Sequence, residues 1–132
     1  MATRKAAAAA PDVNADRGEH ELLLGGVTYR LRPSFTAIGA IERKTGIKLL
    51  PLARMGNTGD ISLADLAIIS VELIRAGAEP DDMLTANVGA EAIGQMIYEQ
   101  GVADVTLAIF RCLLDAATGG RTASGEAKAA TA

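Results

Sequence analysis

Apolar and polar positions first alternate like a strand and then recur like helices. Glu19-His20-Glu21-Leu22-Leu23-Leu24 is followed by Gly25-Gly26 and by Val27-Thr28-Tyr29-Arg30-Leu31-Arg32. A Gly-Gly pair supplies the positive φ angles of a two-residue turn, so the segment predicts a β-hairpin. Its second arm places Val27, Tyr29 and Leu31 on one face and Thr28, Arg30 and Arg32 on the other. Pro33 ends it.

From there the period is helical. A first helix is expected from about Ser34 to Thr45, with Gly46 as its C-cap. At 100° per residue, Phe35, Ile38, Ile41 and Thr45 share its apolar face. Ile47 to Met55 predicts a helical turn or two, and the loop around Gly59-Asp60 follows. The next helix starts at Ser62, close to a capping box with Asp65, and ends at Gly77. Its apolar residues run nearly all the way round, which puts it in the centre of the core or at a subunit contact. Residues 78–87 read as a connector in which Glu79, Pro80, Asp81 and Asp82 favour turns. A helix over about Gly89 to Gln100 turns Ile93, Met96 and Ile97 inward. A last helix over about Ala103 to Ala117 buries Val105, Ile109 and Leu113, with Phe110 and Leu114 partly covered. The fold class is α+β, mostly α: an N-terminal β-hairpin followed by four or five helices. The expected core is Leu31, Phe35, Ile38, Ile41, Leu66, Ile69, Leu73, Ile97, Ile109 and Leu113.

Residues 1–18 and 119–132 lack large apolar clusters, being mostly Ala, Gly, Ser, Thr and Lys with scattered charges. They are expected to be disordered tails around a single folded domain, 19–118. The chain has 132 residues, 49% of them apolar and 3% aromatic, with a net charge of −3. Few aromatics exclude a stacking platform for single-stranded nucleic acid, and acidity argues against duplex binding. No apolar run reaches the roughly 18–20 residues of a membrane span. Without a leucine-rich segment near Met1, no signal peptide is read and a cytoplasmic protein is expected.

Catalytic and metal templates find no match. Gly25-Gly26 lacks the Lys-Ser/Thr ending of a phosphate loop. His20 is the only histidine and reads as a solvated edge-strand residue. Cys112 is the only cysteine and reads as a small core hydrophobe. Asp81-Asp82 lacks the alternating oxygen ligands of a calcium loop. Glu91 and Glu99 read as surface charge. The expectation is a binding or structural module, with no enzyme activity, cofactor or metal.

Charge is distributed unevenly. Arg30, Arg32, Arg43, Lys44, Lys48 and Arg54 face one acid, Glu42, giving residues 30–54 a balance of +5. Residues 60–115 carry ten acids and two bases, a balance of −8. Either the two halves neutralise each other within the fold, or they form opposed surfaces that guide docking. On the second alternative Arg30, Arg32, Arg43 and Lys44 meet Glu79, Asp81 and Asp82 on another copy or a partner, with Arg30 and Arg32 reaching outward.

Several blocks occur in order: Arg17-Gly18-Glu19, Leu22-Leu23-Leu24-Gly25-Gly26, Tyr29-Arg30-Leu31-Arg32-Pro33-Ser34-Phe35, Ala40-Ile41-Glu42-Arg43-Lys44-Thr45-Gly46, Gly59-Asp60-Ile61-Ser62-Leu63-Ala64-Asp65-Leu66 and Glu91-Ala92-Ile93-Gly94 through Gly101. Together they resemble a small tail-protein family of gene transfer agents and related siphophages. The resemblance spans about residues 14 to 120. It implies a non-catalytic tail morphogenesis protein, either a tail assembly chaperone for the tape-measure protein or a structural part of the tail tube or its junction. The partners it implies are the tape-measure protein and tail-tube subunits, with self-association possible.

Overall fold

A computed structural model describes residues 11–14, 18–56 and 58–119. Strands β1 (His20–Leu24) and β2 (Val27–Leu31) pair antiparallel, with Leu24 opposite Val27 and His20 opposite Leu31. Gly25 and Gly26 take φ of 60° and 82°, the left-handed values that the tight turn needs. Among the described residues six helices follow: α1 (Phe35–Thr45), α2 (Leu49–Met55), α3 (Leu63–Ala76), α4 (Met83–Ala86), α5 (Ala90–Gln100) and α6 (Val102–Ala117). The fold class is as expected, a hairpin followed by helices. The additional element, α4, is a single turn inside the expected connector.

Local chemistry explains the helix ends. The Ser34 hydroxyl accepts the Ala37 N–H at 3.1 Å, and left-handed Gly46 donates its N–H to the Glu42 carbonyl. The Ser62 hydroxyl accepts from the Asp65 N–H at 3.0 Å. Asp82 caps α4 by accepting from the Thr85 N–H.

The all-round apolar helix α3 occupies the centre. It packs against α1, α4, α5, α6 and β2, while β1 lies on α6 and α2 packs on α6. Leu66, Ile69, Leu73 and Ile74 of α3 are fully buried, together with Leu24, Leu31, Ile41, Leu52, Ile93, Ile97, Ile109 and Leu113. Each such side chain contributes about 1.5–3 kcal/mol of burial free energy. Ser70 is also fully buried, its hydroxyl donating to the Leu66 carbonyl one turn back. Among the described residues no helix is long and apolar enough to cross a membrane.

Two phases differ from expectation. Phe35 is not in the core: it is 95% exposed. The buried stripe of α1 is Ala37, Ala40 and Ile41, and Ile38 lies at its edge. Small alanines let α1 approach α3 closely, so they, and not the bulkier Phe35, set the rotation of the helix. On α6, Phe110 is buried where partial cover was expected, and Leu114 is 54% exposed. The expected tails fall mostly outside the described residues. Within the described part, Asp12 and Asn14 make hydrogen bonds to Arg30 and Glu19, so contacts begin before the expected boundary at Glu19.

β2 and the end of α3 approach each other closely. A Cβ on Gly77 would lie 2.0 Å from the Arg30 carbonyl oxygen, a backbone atom that cannot turn aside. Gly77→Ala is therefore expected to cost about 1–3 kcal/mol through overpacking. Leu73→Ala should cost about 2–5 kcal/mol through the cavity it leaves. Phe35→Ala should stay within about 0.5 kcal/mol of the parent, as a surface change does. Urea denaturation of the three variants checks the order, and a large loss at Phe35 would contradict the rotation of α1.

Candidate docking site and the charged network beside it

The C-terminal end of α3 leaves backbone carbonyls without helical partners. Both arginines of the hairpin supply them. Arg30 donates from Nε to the Gly77 carbonyl at 2.9 Å and from Nη1 to the Asp12 carbonyl at 2.9 Å. Its Nη2 lies 3.1 Å from Glu79. Arg32 donates its backbone N–H to the Leu73 carbonyl at 3.1 Å, its Nη1 to the Ala76 carbonyl, and its Nε to Glu19 at 2.8 Å. Two cations at a helix C-terminus also suit its partial negative charge. The Arg30 side chain is only 9% exposed, so it does not reach outward as expected from strand alternation.

The other residues of the expected charged surface separate. Lys44 pairs with Glu72 across α1 and α3 at 2.6 Å. Asp82 is spent on the α4 cap, accepting from both the Thr85 N–H and its hydroxyl. Arg43 and Asp81 are exposed. Of the seven residues, the structure joins Arg30 to Glu79 within one chain and gives Arg32 and Lys44 partners, Glu19 and Glu72, that were not expected.

His20 is not the solvated residue that the strand pattern suggests. Its Nε2 lies 2.6 Å from Oδ2 of Asp115, a buried carboxylate on α6, and ties the hairpin to the last helix. Cys112 lies one turn before Asp115, which assembles a thiol, an imidazole and a carboxylate in one region. The thiol is nevertheless inert as a nucleophile. It is fully buried, it donates to the Gly18 carbonyl, and burial, aided by the charges of Asp115 and Glu19, pushes its pKa up to about 12. Among the described residues no group of three or more His, Cys, Asp or Glu could hold a metal ion.

A surface opening lies instead between α3 and α5. Leu63, Ala64, Ala67 and Ile68 form one side, and Ala90, Glu91, Gly94, Gln95 and Tyr98 the other, around about 550 Å³ of almost wholly apolar space. Small residues make it. Gly94 brings the helices so close that a Cβ there would lie 3.1 Å from Cβ of Ala67, while Leu63 and Tyr98 stand out as walls, 36% and 70% exposed. Sequence periodicity did not reveal this groove. Its one signal is that Leu63, Ile68 and Tyr98 are apolar or aromatic outside the stripes that fill the core.

Glu19 gives the charged network a measurable signature. Burial alone would raise its pKa, but the Asn14 N–H, the Arg32 hydrogen bond and the charges of Arg32 and Arg30 outweigh that and hold it below the ordinary glutamate value. Its stabilising contribution is thus full above the ordinary value, about 4.3, and is lost as pH falls through the lower native value. Glu19→Gln should cost about 1–3 kcal/mol at pH 7, as expected when a buried charged group loses its partner. The gap between parent and variant should close on acidification below about pH 4, where the parent carboxyl also protonates. A gap independent of pH, read from thermal melts, would contradict this account.

Comparison with curated proteins and with solved structures found no match. A family model described as "Phage tail tube protein, GTA-gp10" matches residues 17–120, which include the hairpin, every helix and the groove. The chain belongs to this family of phage tail proteins.

Proposed function

We propose that this protein is a tail assembly chaperone: it holds an amphipathic helical segment of the tape-measure protein in the α3–α5 groove until tail-tube subunits assemble. The groove is the observation that carries the reading. An apolar trough of about 550 Å³ between two helices, floored by Ala64, Ala67, Ala90 and Gly94, suits the apolar stripe of one helix. A tape-measure protein is long and largely helical, and many weak contacts along it act together. The action takes place in the cytoplasm of the host cell, before the particle is complete. Exposed Arg43 and Asp81 are available to steer encounter.

The family's description favours a second reading, a structural part of the tail tube or its junction. Against it stands the small amount of sheet: the described residues hold one two-stranded hairpin, whereas a tube wall needs sheet enough to close a ring.

Two measurements separate the readings. Mass spectrometry of purified particles should find the chaperone absent; presence at fixed stoichiometry with tube subunits would establish the structural role instead. Co-expression should keep tape-measure protein soluble, and Ala64→Trp, which fills the groove from an exposed position, should lower that soluble fraction several-fold.

A further inference from the structure

Phe35 covers nothing in the monomer. It opens α1 with its ring 95% exposed, and Gly39 and Arg43 follow on the same helix face at i+4 and i+8. Arg43 makes no ion pair among the described residues. Scattered exposed aliphatics are ordinary. An almost wholly exposed aromatic with an exposed arginine two turns along the same helix face is instead the pair of residue types that anchors protein interfaces.

The α3–α5 groove is complementary to this face in residue type and charge. Its walls are apolar, none of its lining residues is basic, and its α5 side carries Glu91 and Gln95, with Glu99 one turn further on and hydrogen-bonded to Gln95. The two helices run antiparallel: Arg75 donates to the Val88 carbonyl at one end, and Leu63 and Tyr98 share the groove at the other. Along the helix axes Glu91 and Tyr98 are therefore separated by about 10 Å, and Phe35 and Arg43 by about 12 Å, at 1.5 Å per residue; the Arg43 guanidinium lies back over Gly39, 3.4 Å from where a Cβ there would sit, and swings out to reach a partner. One α1 face laid along the groove brings both pairs together.

We propose that Phe35 of one copy of this chain seats between Leu63 and Tyr98 in the groove of a second copy, with Arg43 against Glu91. The proposal deepens the functional reading above and rests on its choice of the groove as the docking site. A second copy then occupies the groove until a client helix displaces it. Because the donor face and the groove are different surfaces, the contact is head to tail. Each copy offers one of each, so association continues into a ring or a filament unless one surface is blocked.

The test uses the full chain in sedimentation velocity from about 10 μM to about 1 mM, a range suited to weak association. The parent should associate with rising concentration and dissociate as salt is raised. Phe35→Glu removes the anchor, and Ala64→Trp blocks the groove; each alone should remain monomeric with an unchanged melting temperature. Mixed in equal amounts they should form dimers and nothing larger, since one intact anchor then meets one intact groove. Gln95→Trp replaces Ala64→Trp if that variant melts early. A monomeric parent at the highest concentration overturns the proposal. So does association of either variant alone, which would mean a symmetric or different interface, and so does a mixture that stays monomeric. Tape-measure solubilisation is scored separately. A parent that associates as described without solubilising that protein ends the chaperone reading and leaves the contact between copies standing, and Phe35→Glu should solubilise it as well as the parent does.

Discussion

The end of α3 must lie against the backbone of β2, and the rest of the structure follows from that contact. Gly77 permits it, because a Cβ at that position would occupy the space of the Arg30 carbonyl. Once the two segments meet, the carbonyl of Leu73, which already accepts the Gly77 N–H, takes a second donor, and those of Ala76 and Gly77 at the helix end need one. Arg30 and Arg32 provide them, and their remaining donors draw in Asp12, Glu19 and Glu79. The hairpin is thereby fixed on the central helix, with Leu31 facing the core. A two-stranded hairpin is barely stable alone; here polar contacts at its base and apolar cover on one face hold it.

A second tie works at the other end of the chain. His20 reaches Asp115 across most of the sequence, and the Cys112 thiol donates to the carbonyl of Gly18 just before the strand. With β2 on α3 and β1 on α6, the hairpin spans the two helices that contribute most of the buried aliphatic side chains. The polar network therefore has a structural task. It joins segments that are remote in sequence, where loop closure has already cost entropy.

Much of the architecture was legible because it depends on local chemistry. Gly25-Gly26 marked the hairpin, Ser34 and Gly46 bounded one helix, and Ser62 and Gly77 bounded another; each element begins or ends within a residue or so of those signals. What was not legible depends on partners distant in sequence. Alternation could say which strand face Arg30 occupies, but not that the end of α3 covers that face. Periodicity weighted the bulky Phe35 over Ala37 and Ala40, although close helix packing rewards the small residues. His20 looked solvated because nothing near it in sequence announces Asp115. The groove was hidden for the same reason: it arises where small Gly94 and Ala67 meet between α3 and α5 and larger residues flank them, and neither helix alone contains it.

The polarity of the chain, basic early and acidic later, first reads as two surfaces awaiting partners. Folding spends much of it. Arg30 meets Glu79, Arg32 meets Glu19 and Lys44 meets Glu72, each pair joining the basic segment to acids elsewhere in the same chain. Partly exposed pairs of this kind contribute little individually, but they remove those charges from the set available to others. The surface left over has a different character. It is an apolar groove with Glu91 on one side and, on another face, an aromatic ring followed by an exposed arginine that makes no ion pair among the described residues. Apolar contact area supplies affinity and a few flanking charges set orientation. On the function proposed above, partners are recognised through helix faces, with charge choosing the direction in which they lie.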